Sequence, residues 1–358
     1  MMTSIMHNDE VYDMYHSIER SCNTILNETF SWGLFDFKRK VRFKVFPDLT
    51  FNARSYRGVF INTIGVNIGV LPLIHALAVN YAKLDYVCDF NDGKQYKREI
   101  VNGNIKKILA TCYVNISRHS LDDDTISSFF DSDDMGDRYA VAYSVFEKML
   151  YFFMLHEYAH LLCGHDRKSV EFGSHTSKSS ERNTREYRQW QEIEADMWGA
   201  VMLCETLHLD MKPVDDSSFM DKIYKEIGLI YTSIGLLLMS FSFANPLAET
   251  IESYSVSLHP HPAIRIANAY ETIHRYLELT SGLEVNILKD IMTQSLANLL
   301  TLAGDLDMPI YWLLTGETEN IYLELKRLRD NVSDKNVAET YKGMSSVIEK
   351  LHNNMSLF

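Results

Sequence analysis

The sequence is poor in cysteine, proline and glycine. Five cysteines stand at positions 22, 88, 112, 163 and 204 of the 358 residues, and no two of them form a CxxC pair. Scattered cysteines in odd number argue against a disulfide framework or a cysteine-rich zinc module, and they fit a reducing compartment. The seven prolines and 16 glycines are few for this length, which favours helices.

Positive charge is also scarce. The chain carries 35 Lys and Arg residues against 48 Asp and Glu residues, a formal net charge of -13. Proteins that bind nucleic acids usually carry a basic surface, because phosphate contacts dominate their affinity. The charge therefore argues against nucleic acid as the main partner. The first ten residues are polar and acidic, without a basic segment followed by an apolar core, so no signal peptide is expected.

Hydrophobic periodicity predicts a mainly α-helical protein with a small β-sheet (α+β). Strands are expected over 41–46 and 56–66, and the polar stretch 166–184 is typical of a loop. Helices are expected over 8–31, 71–84, 139–163 and 185–207, after Lys225, and from Ala263 onward. We expect a functional domain over residues 1–266 and a helical C-terminal region over 267–358.

The most informative stretch is His156-Glu157-Tyr158-Ala159-His160, which lies on the predicted helix 139–163. Two histidines four residues apart project from the same helix face, so their imidazoles can bind one Zn²⁺. Glu157 lies about 100° round the helix from His156, where it can act as the general base on a water molecule. The pattern therefore predicts two metal ligands and a base.

A catalytic zinc needs a third protein ligand. The metzincin pattern would require glycine and histidine at the positions that hold Cys163 and Asp166, so it does not apply. His165 is close in sequence, but it follows Gly164, the expected end of the helix. It is better interpreted as a polar residue at the helix C-terminus.

The next helix offers carboxylates instead. Glu192 and Asp196 are one turn apart on one face, so Glu192 could bind the metal while Asp196 accepts a hydrogen bond from a ligand histidine. Glu194 is the rival ligand. It points about 200° away from Glu192, so only one of the two glutamates can face the metal.

These motifs resemble those of the gluzincin-type zinc metallopeptidases. HEYAHLLCGH followed by ExxAD is similar to the group of HtpX and the prenyl-protein endopeptidases, and to ImmA/IrrE-type and Lit-type bacterial peptidases. His259-Pro260 and Arg265-Ile266 have the spacing of the HPxxxxRI segment of the first group. The resemblance implies a zincin-like core around the HExxH and ExxAD helices.

The same resemblance implies a role for each site residue. The metal ligands would be His156, His160 and Glu192. Asp196 would support a ligand histidine, and Glu157 would be the base. His259 and Arg265 would be catalytic residues near the substrate or the oxyanion.

The stretch 227–247 lacks charge and is long enough to cross a membrane, as HtpX-like proteins do. The alternative is a buried core helix. A single span here would separate His259 and Arg265 from His156 and Glu192, so the predicted site could not assemble. We therefore expect a soluble, cytoplasmic protein, as in the Lit-type peptidases of phage exclusion.

The sequence predicts a zinc-dependent endopeptidase that cleaves a specific protein substrate. Two alternatives stay open: a non-catalytic sensor or scaffold stabilised by zinc, and a membrane-associated protease. The substrate, the trigger and the oligomeric state do not follow from the sequence.

Overall fold

The structure is a computed structural model. It describes residues 8–31, 40–48, 52–83, 138–165, 178–210, 218–241, 257–281, 283–305 and 323–328. The chain divides into two compact units. The first holds the described residues up to Met154, and the second holds those from Leu155 onward.

The first unit contains a three-stranded sheet. Its strands are β1 (Val41–Phe46), β2 (Ala53–Tyr56) and β3 (Asn62–Asn67), in the order β1-β3-β2. The central strand β3 is parallel to β1 and antiparallel to β2. It is almost wholly buried, as expected of a strand with a neighbour on each side.

Helix α1 (Asn8–Ser31) covers the outer edge of β1. The side chain of Asn23 bonds both backbone groups of Phe43, accepting from its N–H at 2.9 Å and donating to its carbonyl at 3.2 Å. The amide of Val45 donates to Glu19 Oε1 at 2.9 Å. Backbone groups that an edge strand would leave unpaired are thus bonded by the helix.

Two further helical segments complete the first unit. Helix α2 (Val70–Lys83) is buried from Val70 to Ala82, which explains its lack of a polar face. The residues of α3 (Arg138–Cys163) up to Met154 also belong to this unit, and α3 continues into the second. The ring of His75 on α2 contacts that of Phe146 on α3, with 5.8 Å between centroids.

The described residues of the second unit form helices and connecting segments, with no strand among them. The unit contains the end of α3, then α4 (Lys178–Asp210), α5 (Ser218–Ser240), α6 (Pro262–Thr280) and α7 (Val285–Asp305), with a short helical segment at 323–328. Helix α6 packs against α4, α5 and α7. Gly235 allows this close packing, because a Cβ there would lie 2.5 Å from the hydroxyl of Tyr270.

Helix α5 is the candidate membrane span. Among the described residues, one helix, Met220–Ser240, is long and apolar enough to cross a membrane, and 78% of its apolar window is buried within the protein. The core helix of a soluble protein passes the same test of length and composition. The burial fits the core-helix interpretation, while solubility and cytoplasmic location stay predictions.

The predicted class, mainly α with a small sheet, is confirmed. The predictions for 8–31, 41–46, 71–84 and 139–163 agree with α1, β1, α2 and α3 to within one residue. The predicted strand 56–66 is confirmed over 62–66, which belong to β3, but it is wrong over 57–61, which separate the end of β2 from the start of β3.

Two helices begin earlier than the sequence predicts. Helix α4 begins at Lys178 within the predicted loop 166–184, and α5 begins at Ser218. Helix growth is cooperative, so a helix that is stabilised by packing in its later turns can continue through polar residues that show no hydrophobic periodicity. Residues 166–177 lie outside the described residues. Helix α6 runs without a break through residue 266, the predicted domain boundary, which stays a prediction.

Candidate metal centre

The last turns of α3 present two histidines to one point. His156 is buried and His160 is half-buried, and they are one turn apart on the same helix. Their Nε2 atoms are 3.1 Å apart. Two neutral rings that both turn a lone pair to this point would repel each other, so a proton or a cation has to lie between them.

Helix α4 brings a carboxylate to the same point. Glu192 Oε2 lies 3.6 Å from His156 Nε2, and Oε1 lies 3.4 Å from His160 Nε2. The three donor atoms all lie within 4.8 Å of one another. The structure therefore brings together the three residues that were predicted as metal ligands.

The charges in this cluster are strongly coupled. Burial alone would lower the pKa of His156, but its contacts with Asp196 and Glu192 outweigh this and raise the pKa to about 9. Burial alone would raise the pKa of Glu192, but the neighbouring imidazoles hold it well below its usual value. The site thus keeps an ionised carboxylate in a half-buried place where it needs a positive partner.

Asp196 contacts the ring nitrogen of His156 that does not face Glu192. Its side chain is fully buried, and its Oδ1 is 2.9 Å from His156 Nδ1. This is the place predicted for a residue that orients a ligand histidine. A carboxylate there favours the tautomer with the proton on Nδ1, which leaves Nε2 free to bind a metal.

Arg265 on α6 forms two bonds to Asp196. Its Nε donates to Oδ2 at 2.7 Å and its Nη2 to Oδ1 at 2.8 Å, and the guanidinium lies over the ring of Phe241. Burial opposes ionisation of the carboxyl, but Arg265 holds the pKa of Asp196 below its usual value. Arg265 Nη1 also lies 3.6 Å from Glu192 Oε2.

His259 lies at the exposed side of the cluster. Its side chain is 62% exposed, and its Nδ1 is 3.2 Å from Glu192 Oε2. The preceding segment is tied to α4, because Gln189 donates to the carbonyl of Ser257 at 2.9 Å. His259 is therefore placed where it can meet both solvent and the carboxylate of Glu192.

Glu157 follows His156 on α3 and is half-buried. Burial alone would lower the pKa of Arg265, but Asp196, then Glu192, and to a smaller extent the negative charge of Glu157 raise it. The predicted base thus shares one electrostatic neighbourhood with the predicted ligands.

The contact between His165 and Glu194 was missed by the sequence interpretation. Gly164 has a φ of 69°, the left-handed conformation that ends α3 and that glycine adopts most easily. His165 is buried; its Nδ1 lies 2.7 Å from His160 Nδ1, and its Nε2 lies 2.9 Å from Glu194 Oε2. Burial lowers the pKa of His165, and Glu194 offsets this only in part.

Glu194 is therefore not a direct rival of Glu192 for the two HExxH histidines, since it meets His165 instead. A sequence signal did exist, namely a histidine just after a helix-ending glycine, five residues beyond His160. Cys163, His165 and Glu194 also form a second group of potential donor atoms within 4.8 Å of one another.

A family model described as Peptidase U49 matches residues 105–278, a span that contains all the site residues named above. The match indicates a peptidase. No curated protein and no solved structure matches the chain. The similarity supports a proteolytic function and hence protein or peptide substrates.

Proposed function

We propose that this peptidase is a zinc-dependent endopeptidase that cleaves a specific protein substrate. The observation that carries the proposal is the convergence of His156 Nε2, His160 Nε2 and a carboxylate oxygen of Glu192. Two imidazoles and one carboxylate form a set of protein ligands found in catalytic zinc sites.

The spacing of the donor atoms supports this assignment. Ligands about 2.0–2.1 Å from a tetrahedral zinc lie roughly 3.3 Å from one another. Here the two Nε2 atoms are 3.1 Å apart, and each lies 3.4 or 3.6 Å from a carboxylate oxygen of Glu192, His160 from Oε1 and His156 from Oε2. When bound, zinc would polarise a substrate carbonyl and lower the pKa of a water molecule to near neutrality.

The residues of the chain would then move the proton. Glu157 would accept it from the attacking water at its carboxylate and deliver it to the leaving amine. His259, at the exposed side of the site, would donate a hydrogen bond to the oxygen on which negative charge develops. Arg265 would hold Asp196 in place and add its positive charge beside Glu192.

Metal content tests the first half of the proposal. Wild type purified without chelator should hold one zinc per chain by elemental analysis. The Glu192→Ala variant should lose its zinc, because one of the three protein ligands is gone. Glu278→Ala, which removes an exposed carboxylate from α6, is the control and should keep the metal. A Glu192→Ala variant with full zinc content would contradict the proposed ligand set.

Cleavage tests the second half. With casein and a quenched peptide library as probes, Glu157→Gln should keep its zinc but cleave about 10²–10⁴-fold more slowly than wild type, since the base is lost while the shape is kept. Equal rates would refute the mechanism. A zinc-loaded wild type that cleaves neither probe is consistent both with an enzyme restricted to its own substrate and with the second candidate, a non-catalytic sensor or scaffold.

That second candidate has one observation in its favour. Cys163, His165 and Glu194 add further donors beside the proposed ligands, and a fourth protein ligand would make a closed, structural zinc site. X-ray absorption at the zinc edge separates the two, because sulfur in the coordination shell would favour the structural site.

Location and setting are also proposed. We propose a soluble cytoplasmic protein without nucleic-acid partners, on the grounds of its acidic charge and buried α5. Phage exclusion is the setting implied by the resemblance to Lit-type peptidases. Fractionation tests the location: a chain that needs detergent to leave the membrane fraction would favour a membrane-associated protease.

A further inference from the structure

His165 is fixed on both its backbone and its ring. The left-handed Gly164 turns the chain out of α3, and the carbonyl of His165 accepts a bond from Gln191 Nε2 at 3.3 Å. Both ring nitrogens have close partners, His160 Nδ1 at 2.7 Å and Glu194 Oε2 at 2.9 Å. With 4% of its surface exposed, His165 gives neither nitrogen to bulk solvent.

For two neutral rings, their chemistry fixes the direction of these bonds. Two imidazole nitrogens 2.7 Å apart can bond only if one donates and the other accepts. A carboxylate can only accept, so His165 must carry its proton on Nε2, facing Glu194. Its Nδ1 then bears a lone pair and accepts from His160 Nδ1–H.

This direction suits the proposed metal site. A proton on His160 Nδ1 leaves the lone pair on Nε2, the atom that faces His156 and Glu192. The reverse tautomer would put a proton at the metal position and would set a lone pair of His165 against the carboxylate of Glu194. The carboxylate of Glu194 thus selects, through His165, the tautomer of His160.

We propose that Glu194 and His165 form a relay that fixes the tautomer and orientation of His160, so that both are positioning residues of the metal site. The inference rests on the proposed function. Each HExxH histidine would then have its own carboxylate support: Asp196 contacts His156 directly, whereas Glu194 reaches His160 through an intervening imidazole.

Zinc affinity of the purified full chain, measured by competition with a chromophoric chelator, tests the relay. His165→Phe keeps a ring but removes both nitrogens, and it should weaken zinc binding about 10–100-fold. Glu194→Leu should weaken it similarly, whereas Glu194→Gln, whose amide oxygen can still accept, should lose less. His274→Phe on α6 is the control and should bind zinc like wild type.

Two readouts separate a relay from general loss of structure. If the residues act as one chain, the double variant His165→Phe/Glu194→Leu should lose no more affinity than the worse single variant. Nitrogen NMR of labelled histidines in the zinc-loaded wild type should show a protonated Nδ1 on His160 and a protonated Nε2 on His165. The opposite tautomers would overturn the relay.

The outcomes also distinguish this inference from the proposed function. If wild type binds zinc and both His165→Phe and Glu194→Leu bind it equally tightly, the relay is wrong and the endopeptidase proposal stands. If wild type binds no zinc, both are wrong. A second equivalent of zinc that disappears in Cys163→Ser would instead make the Cys163, His165 and Glu194 group a metal site, and would overturn the relay.

Discussion

The ion pair between Asp196 and Arg265 is buried at both ends. The side chains are 0% and 4% exposed, and two hydrogen bonds of 2.7 and 2.8 Å join them. Replacing Asp196 by Asn keeps the shape but removes the nearest counter-charge of the guanidinium, which then has only the carboxylate of Glu192 at 3.6 Å. Removal of one partner from a buried pair typically costs about 3–5 kcal/mol, because the remaining charge is uncompensated.

Helix α6 supplies a matched control. Arg275 and Glu271 form an ion pair on its exposed face, with 65% and 47% of their side chains exposed. Solvent screens such a pair, so Glu271→Gln should cost only about 0.2–0.5 kcal/mol. The buried and exposed disruptions should thus differ about tenfold in the free energy of unfolding.

Urea unfolding followed by circular dichroism measures both costs. A chelator should be present, so that altered metal binding through His156 does not enter the comparison. The double variant Asp196→Asn/Arg265→Met should be more stable than Asp196→Asn alone, because it removes the unpaired charge. If Asp196→Asn costs no more than Glu271→Gln, the reasoning about this buried pair is refuted.

The pH dependence has a definite sign. Arg265 holds the pKa of Asp196 below its usual value, against the opposing effect of burial. A lowered carboxyl pKa contributes stability above the unfolded value of about 3.9, and that stability is lost as the pH falls through the folded value. The cost of Asp196→Asn should therefore shrink below about pH 4. A cost that grows there would contradict this sign.

Three further changes test other parts of the structure. Burial raises the pKa of Glu205 from 4.5 to about 7, so the folded state is penalised increasingly as pH rises between these values. At pH 8, Glu205→Gln should raise the free energy of unfolding in urea by up to about 3 kcal/mol more than it does at pH 4. An equal effect at the two pH values would contradict this prediction. Gly164→Ala should lower the free energy of unfolding by about 1 kcal/mol, because φ is 69° at this position. It should also weaken zinc binding by shifting His165. Unchanged stability would contradict the left-handed conformation of Gly164. Gly235→Ala should lower stability by about 1–3 kcal/mol, since its Cβ would lie 2.5 Å from the hydroxyl of Tyr270, and a neutral result would mean looser helix packing.

The local hydrophobic pattern of the sequence was enough to predict most of the helices. The apolar run of α3 and the glycine that ends it predicted a helix over 139–163, and the structure has Arg138–Cys163. The start of α4 was not predictable in this way. Its first residues are polar and lack periodicity, and they are helical because they continue a helix whose later turns are packed.

In the candidate site, too, local spacing predicts some of the contacts and helix packing decides the others. The four-residue spacing of His156 and His160 is enough to put both imidazoles on one helix face. The choice between Glu192 and Glu194 needed the packing: the two carboxylates are two residues apart, and either could have turned to the histidines. Only the tertiary structure places Glu192 against the histidine pair and Glu194 against His165.

The sequence by itself determined what lies within one or two helical turns, since the rise and twist of a helix fix those distances. That covers the two histidines, the adjacent Glu157, and the common face of Glu192 and Asp196. The pairing of Asp196 with Arg265, 69 residues further on, and the bond between His165 and Glu194 depend on how separate segments pack. No local rule sets those distances, because burial of the whole unit decides which side chains meet.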